Sequence, residues 1–245
     1  MTTTLTIGER FCGPPDSGNG GYSAGSLARH VAGALRADPS ATPHTGIEVT
    51  LRAPVPLARP LTVISDPNSG GARLVDGDET LATARAVTLD IDLPPPVGVA
   101  AARAIVMESP MLRAPDEHPF PGCFVCGPGR ATGDGLRLFP ARVPGRDVYA
   151  VAWSPAEVSI ELVWAALDCP SSFPMYLQEE PFPGPVVLGR IAARIERLPG
   201  IGDDCVVMSW RESVDGRKLH TASTLLDGEG QPLAVARATW IRLAR

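Results

Sequence analysis

The sequence contains no stretch of about 18 apolar residues, the length that a membrane-spanning helix requires, although 44% of its 245 residues are hydrophobic. Its first residues, MTTTLTIGERF, lack the basic start and the apolar run of a signal peptide. Basic runs are also absent and the formal net charge is −5, which argues against nucleic acid or an anionic membrane as the main partner. We therefore expect a cytoplasmic protein, and the sequence leaves assembly into a homo-oligomer open.

Cysteine is scarce, with five residues, an odd number, in the whole chain. This content fits a reducing compartment better than a disulfide framework. Cys123 and Cys126 form a Cys-x-x-Cys pair near His118, which could begin a zinc site. No second Cys-x-x-Cys pair completes four ligands, so we interpret the thiols as structural and expect no bound metal.

The most informative stretch spans residues 158–172. It is predominantly apolar, and one of its carboxylates, that of Asp168, is predicted to point towards the core. Apolar residues recur at i, i+3, i+4 and i+7, the spacing of a buried helix face: Ile160, Val163, Trp164 and Leu167. Asp168 projects beside that face, where an unpaired carboxylate is unfavourable. Burial and the negative end of the helix dipole would both raise its pKa, unless hydrogen-bond donors to the carboxylate oppose them. The segment 154–157 has the pattern of a capping box with proline at the first helical position, which predicts the start of this helix.

An earlier helix is predicted at residues 21–35, because the apolar residues of one face have helical spacing: Ala24, Leu27, Ala28, Val31 and Leu35. Each helix is followed by four predicted strands: 47–53, 61–65, 71–75 and 79–91 after the first, and 186–198, 205–213, 218–226 and 232–243 after the second. Further strands are predicted at 4–11, 136–140 and 147–153. Short turns rich in Gly, Asp, Asn and Pro favour antiparallel pairing.

The sequence also contains a short internal repeat. Leu81 to Ala86 matches Leu233 to Ala238 at a constant offset of 152, and an Asp-Gly turn precedes each segment, at Asp76-Gly77 and at Asp227-Gly228. Together with the repeated order of elements, this match favours an internal duplication. We therefore divide the chain into an N-terminal unit at 1–92, a proline-rich linker at 93–117 and a C-terminal unit at 118–245, with one helical piece predicted at 99–107.

Three motifs carry a resemblance to a known superfamily: Pro14-Pro15-Asp16-Ser17-Gly18-Asn19-Gly20-Gly21-Tyr22, Cys123-Phe124-Val125-Cys126-Gly127-Pro128 with Gly135-Leu136-Arg137-Leu138, and Trp164-Ala165-Ala166-Leu167-Asp168-Cys169-Pro170. They resemble the acyl-CoA thioesterase-like hotdog superfamily, and the resemblance spans nearly the whole chain. It implies an α+β fold, a double hotdog in which two antiparallel sheets each wrap around a central helix.

In hotdog thioesterases the thioester carbonyl meets backbone N–H groups at the start of one central helix, and a carboxylate comes from the central helix of the partner copy. The resemblance therefore implies a hydrolase of acyl-CoA or carrier-bound acyl groups, with no cofactor except the CoA of the substrate. It implies two catalytic residues and four oxyanion or substrate contacts: Asp168 and Asn19; Gly20, Gly21, Tyr22 and Trp164.

The two helices are not equivalent in sequence. The first has Ala28 where a second carboxylate would lie, and the second begins with Ser159, Ile160 and Glu161 instead of paired glycines. We therefore expect one composite site per chain, between the start of the first helix and Asp168 of the second.

Three alternatives remain open. The chain could be a catalytically silent double hotdog that binds an acyl ligand or serves in an assembly. A hotdog hydratase or dehydratase would need a histidine close to Asp168, and none is near it in sequence. Gly21-Tyr22-Ser23-Ala24-Gly25 matches the nucleophile elbow of α/β-hydrolases, with Asp168 and His220 in the right chain order, but a Gly/Pro loop precedes it instead of a buried strand.

Overall fold

The computed structural model describes residues 2–31, 44–66, 68–177, 179 and 181–243. Its N-terminal half contains β1 (Thr2–Leu5), α1 (Gly20–Ala28), β2 (Thr45–Leu51), β3 (Leu61–Ser65), β4 (Ala72–Asp76) and β5 (Glu79–Thr88). Two short helices connect the halves, α2 (Val99–Ile105) and α3 (Pro110–Arg113). The C-terminal half contains β6 (Ala141–Arg142), β7 (Val148–Trp153), α4 (Ile160–Asp168), β8 (Val186–Ile195), β9 (Cys205–Asp215), β10 (Lys218–Leu226) and β11 (Pro232–Arg242).

The strands form one antiparallel sheet in the order β1-β3-β4-β5-β2-β8-β11-β10-β9-β7-β6. The order β3-β4-β5-β2 in the first half corresponds to β9-β10-β11-β8 in the second, and a long helix precedes each set. The halves meet where β2 pairs with β8, with Ile47 opposite Ala193 and Val49 opposite Ile191. Each half therefore covers a strand edge that the other would leave exposed.

The sheet curves around α1 and α4, which pack against each other in the core. All residues of α4 from Glu161 to Asp168 are buried, and Leu27 and Ala28 of α1 are fully buried. The helices cross at glycines, because a Cβ on Gly21 would overlap the Cβ of Asp168 and a Cβ on Gly25 would lie 2.9 Å from the Cβ of Trp164. This crossing places the start of α1 against the end of α4.

The second helix begins later than the sequence predicted. Ser159 is its N-cap, and its hydroxyl accepts a hydrogen bond from the N–H of Leu162 at 3.2 Å. Ser154 instead donates to Asp204 at 2.9 Å, and Glu157 pairs with Arg10 at 3.0 Å, so neither end of the predicted capping box caps a helix. After Asp168 the chain tightens into a 3₁₀ helix at Cys169–Tyr176, where Pro170 cannot donate to an α-helical hydrogen bond.

Most other predicted elements lie within a few residues of the observed ones, and the strands at 61–65 and 218–226 are confirmed to the residue. The first helix ends at Ala28, whereas it was predicted to reach residue 35; Val31 is buried, and Gly33 and Leu35 lie outside the described residues. The predicted strand at 136–140 is wrong, because Arg137 has a left-handed backbone with φ of 50°. The predicted domain boundaries stay a prediction.

Among the described residues, the helices are too short or too polar to cross a lipid bilayer.

Candidate active site

Asp168, the last residue of α4, has two carboxylate oxygens in different surroundings. Its Oδ2 accepts hydrogen bonds from the N–H of Gly21 at 2.8 Å and from the Asn19 amide at 3.1 Å. Its Oδ1 has no hydrogen-bond partner within the described part of the chain, although the residue is only 1% exposed. Burial raises the pKa of Asp168 to about 7, against the opposing effect of the Gly21 N–H. The side chain is thus held by one oxygen and leaves the other unbonded.

Asn19 connects the two central helices through its side-chain amide. Its Oδ1 accepts the N–H of Tyr22 at 2.9 Å and so caps the start of α1. Its Nδ2 donates to Asp168 Oδ2. Because both ends of the amide are bonded and the residue is 1% exposed, Asn19 fixes the carboxylate relative to the start of α1.

The two glycines at the start of α1 have different roles. The N–H of Gly21 is already bonded to Asp168, which differs from its predicted role as an oxyanion donor. Gly20 borders the neighbouring cavity, and among the described residues no acceptor binds its N–H. First-turn N–H groups lack partners within a helix and carry positive potential. Gly20 is therefore the glycine of the pair that borders the cavity and whose N–H is not bonded to Asp168.

A cavity of about 740 Å³ opens beside these groups. Asn19, Gly20 and Asp168 are among the residues that border it. Most of its wall is apolar and comes from both halves of the chain and from the connecting segment, including Leu51, Val55, Met111, Phe120, Phe173, Met175, Phe182, Leu188 and Trp240. A cavity of this size and character suits a small ligand with a substantial apolar portion.

Two of the predicted substrate contacts do not border this cavity. Tyr22 stacks on Phe11 with ring centroids 3.8 Å apart and planes inclined by 9°. Trp164 is 2% exposed and packs against Gly25 where the helices cross. Both side chains stabilise the arrangement of α1 and do not line the cavity wall.

The serine-hydrolase alternative is contradicted by the structure. Ser23 lies inside α1, and its hydroxyl has no hydrogen-bond partner in the described regions. His220 lies on β10, where its Nδ1 is 3.2 Å from the hydroxyl of Thr239. An antiparallel sheet wrapped around helices also lacks the strand-to-helix turn that an elbow requires.

Three buried thiols lie beside Asp168, which sequence reasoning did not anticipate. The sulfur atoms of Cys123, Cys126 and Cys169 are all within 4.8 Å of one another, and those of Cys123 and Cys169 are 3.7 Å apart. Hydrogen bonds from the other two thiols lower the pKa of Cys123. The only sequence signal for the third thiol was its place directly after Asp168, because Cys169 is 46 residues from Cys123.

His118 also borders the cavity, although no sequence spacing linked it to Asp168. Its Nδ1 accepts the N–H of Phe120 at 2.9 Å, and its Nε2 lies 3.3 Å from the sulfur of Cys126. Both ring nitrogens are therefore engaged, and the ring is not placed as a free acid or base for a dehydratase.

The opposite crossing, at the start of α4 and the end of α1, lacks these features. Ser159 caps α4, and Ala28 lies fully buried in α1. The carboxylate of Glu161 accepts a hydrogen bond from Arg29 at 2.7 Å. Its acid group is therefore paired with a cation instead of lying free beside a helix start.

The comparisons with known proteins agree on the fold. No protein-family model and no curated protein matches the sequence. Among solved structures, a protein assigned to thioesterase II from Thermobifida fusca is 13% identical, with a TM-score of 0.65 over 100% of this chain and 92% of that one. The acyl-CoA thioesterase II TesB2 from Mycobacterium marinum is 11% identical, with a TM-score of 0.57 over 100% of this chain and 93% of that one.

A hotdog-fold protein of unknown function from Alicyclobacillus acidocaldarius is 9% identical and superposes with a TM-score of 0.56, covering 100% of this chain and 94% of that one. The residues that the structure describes therefore have an α+β hotdog fold, and the predicted fold is confirmed.

Proposed function

We propose that this protein hydrolyses thioesters of acyl groups carried on CoA or on a carrier protein, at one composite site between its two halves. The observation that carries the proposal is Asp168, whose Oδ2 is held by Gly21 and Asn19 while Oδ1 is unbonded in a residue that borders an apolar cavity. Thioester hydrolysis needs a base for water, a donor for the oxyanion and an apolar site for the acyl chain.

In this proposal the acyl chain lies in the cavity and the carbonyl oxygen accepts the N–H of Gly20. Asp168 Oδ1 takes a proton from a water molecule as the water oxygen bonds to the carbonyl carbon. The C–S bond of the tetrahedral intermediate then breaks, and the departing thiolate receives the proton from Asp168. Gly21 and Asn19 act through Asp168, because they hold its other oxygen in place.

The proposal is tested with a panel of acyl-CoA thioesters of increasing chain length, with thiol release as the readout. Asp168→Asn keeps the shape of the side chain and removes its basicity. Loss of a general base lowers the rate by about 10² to 10⁴. The matched control is Glu161→Gln, a similar change beside the opposite crossing, which should retain nearly full turnover.

Thermal melts accompany both variants, since replacing a buried carboxylate can change stability by itself. If Asp168→Asn hydrolyses the best thioester at the wild-type rate, the catalytic assignment fails. If Glu161→Gln is the inactive variant, the working site is at the opposite crossing.

A second candidate is an acyl-binding protein without turnover. It is favoured by the bond between Gly21 and Asp168, which leaves Gly20 as the one N–H of the glycine pair that can meet an oxyanion. The same panel separates the two functions: thioesters that raise the melting temperature of the protein without releasing thiol would support binding alone. With either function, we also propose a cytoplasmic location and an origin by internal duplication.

A further inference from the structure

We propose that Cys123, Cys126 and Cys169 together bind one zinc ion at the wall of the cavity, with the fourth coordination position open to solvent. The three sulfur atoms already lie close together, and the residues are 3%, 7% and 7% exposed. Cys123 and Cys126 come from the loop before the second half, and Cys169 comes from the end of α4. A metal would therefore join two separate segments beside Asp168.

The distances suit tetrahedral coordination. With Zn–S bonds of about 2.3 Å and tetrahedral angles, two thiolates of one site lie about 3.8 Å apart. The sulfur atoms of Cys123 and Cys169 are 3.7 Å apart, and each remaining pair is within 4.8 Å. The expectation that these thiols are only structural depended on a missing second Cys-x-x-Cys pair, and Cys169 provides a third ligand that sequence spacing could not show.

His118 is not the fourth ligand. Its Nδ1 accepts the N–H of Phe120, so in the neutral ring the proton is on Nε2, which faces the sulfur of Cys126 at 3.3 Å. A nitrogen that carries a proton cannot coordinate a metal, but it can donate to a thiolate. The Asn19 Nδ2 has one N–H beyond the one it donates to Asp168, and this nitrogen lies 3.4 Å from the sulfur of Cys169 and 4.0 Å from that of Cys123. These N–H groups would stabilise the negative charge of three thiolates around one Zn²⁺.

The open position follows from the place of the cluster. All three cysteines border the cavity, as does Asp168. A zinc site with three protein ligands and one solvent position is the arrangement of catalytic zinc, whereas structural sites have four protein ligands. The ion would thus be reachable by a ligand in the cavity, and its metal-bound water would lie on the same wall as the carboxylate.

The test begins with the wild-type chain, purified without chelators and under reducing conditions. We expect about one zinc per chain by elemental analysis, and five free thiols after denaturation with a chelator. Replacement of zinc by Co²⁺ should give sulfur-to-cobalt charge-transfer absorption in the near ultraviolet. These measurements do not depend on whether the protein hydrolyses thioesters. A negative zinc result would therefore contradict the zinc site without contradicting the proposed hydrolase activity.

Three variants sharpen the test. Cys126→Ser should lower zinc content at least about tenfold, and His118→Ala should weaken zinc affinity by about 10- to 100-fold because it removes a donor to a ligand. Cys205→Ser is the matched control, since Cys205 is a fully buried thiol outside the cluster, and it should keep full zinc content. The wild-type measurements stand even if a variant fails to fold.

A wild-type protein with reduced thiols that neither contains zinc nor takes up Co²⁺ would overturn the proposal. A disulfide between Cys123 and Cys169 in the purified protein would do the same. Equal zinc loss in Cys126→Ser and Cys205→Ser would also contradict it, because the metal would then follow general destabilisation.

Discussion

The two central helices begin with similar side-chain caps, but the residues around the two caps differ. Asn19 caps α1 and Ser159 caps α4, and each accepts a main-chain N–H through its side-chain oxygen. The amide of Asn19 has a second function, because its Nδ2 also holds Asp168. The Ser159 hydroxyl lies beside Glu161, but that carboxylate pairs with the cation of Arg29. The carboxylate at the start of α1 is instead held by an amide and a main-chain N–H, with no cation among its hydrogen-bond donors in the described residues.

The largest effect is expected when the capping residues of the two helices are replaced. Asn19→Ala and Ser159→Ala should each lower the free energy of unfolding by at least about 1 kcal/mol, because each removes one cap. Asn19→Ala also removes the hydrogen bond to Asp168. Only Asn19→Ala should also lower turnover, by about 10²-fold, since a misplaced catalytic group has an effect of that order. Urea unfolding and thiol release, measured on both variants, check the pair. Equal turnover in the two variants would show that Asn19 is only a cap.

The effect expected next is on stability and concerns the two glycines Gly21 and Gly98. Gly21→Ala would place a methyl group against the Asp168 side chain and the Trp164 main chain where the helices cross. Overpacking of this kind lowers the free energy of unfolding by about 1 to 3 kcal/mol. Gly98→Ala is the control, because nothing lies within 4 Å of a Cβ at that position.

Thermal unfolding of the two glycine variants provides the measurement. Gly21→Ala should melt clearly below the wild type, and Gly98→Ala close to it. A Gly21→Ala protein as stable as the wild type would mean that the two helices can separate without penalty, and the close crossing would not be required.

The ion pair at the opposite crossing gives the smallest effect. Although burial opposes it, the hydrogen bond from Arg29 holds the pKa of Glu161 below its usual value. A depressed carboxyl pKa stabilises the folded state above the unfolded pKa, and this contribution is lost as the pH falls through the folded pKa. Arg29 is 56% exposed, so screening limits the contribution to under about 1 kcal/mol.

Arg29→Ala should therefore be slightly less stable than the wild type at neutral pH, and the difference should shrink as the pH falls below about 4. Turnover should not change. Chemical unfolding at several pH values checks the trend, and a difference that grows on acidification would contradict the assignment of the pair.

Much of the fold could be predicted from the sequence because it depends on local patterns. The buried face of α1 and the strand at 61–65 follow from apolar spacing, and they are where the patterns place them. Asp168 was also identifiable, since one carboxylate in an apolar helix is an anomaly. The start of α4 was not, because segment 154–157 fits a capping box and only its long-range partners, Asp204 and Arg10, show that its side chains bond elsewhere.

The residues of the candidate site could be predicted, but the hydrogen bonds between them could not. The sequence placed Asn19 and Gly21 at a helix start, yet it could not show that Gly21 donates to Asp168 instead of to a ligand, because that bond spans 147 residues. The approach of Cys169 to Cys123, which are 46 residues apart, and the position of His118 at the cavity are likewise long-range features that local spacing does not show.

The pairing of β2 with β8 has a consequence for the order of synthesis. Residues 45–51 leave the ribosome long before residues 186–195, so β2 has an unpaired edge while more than half of the chain is still being made. Unpaired edges promote association between nascent chains. The rate of translation between β2 and β8 should therefore affect the yield of folded protein more than the rate after β8.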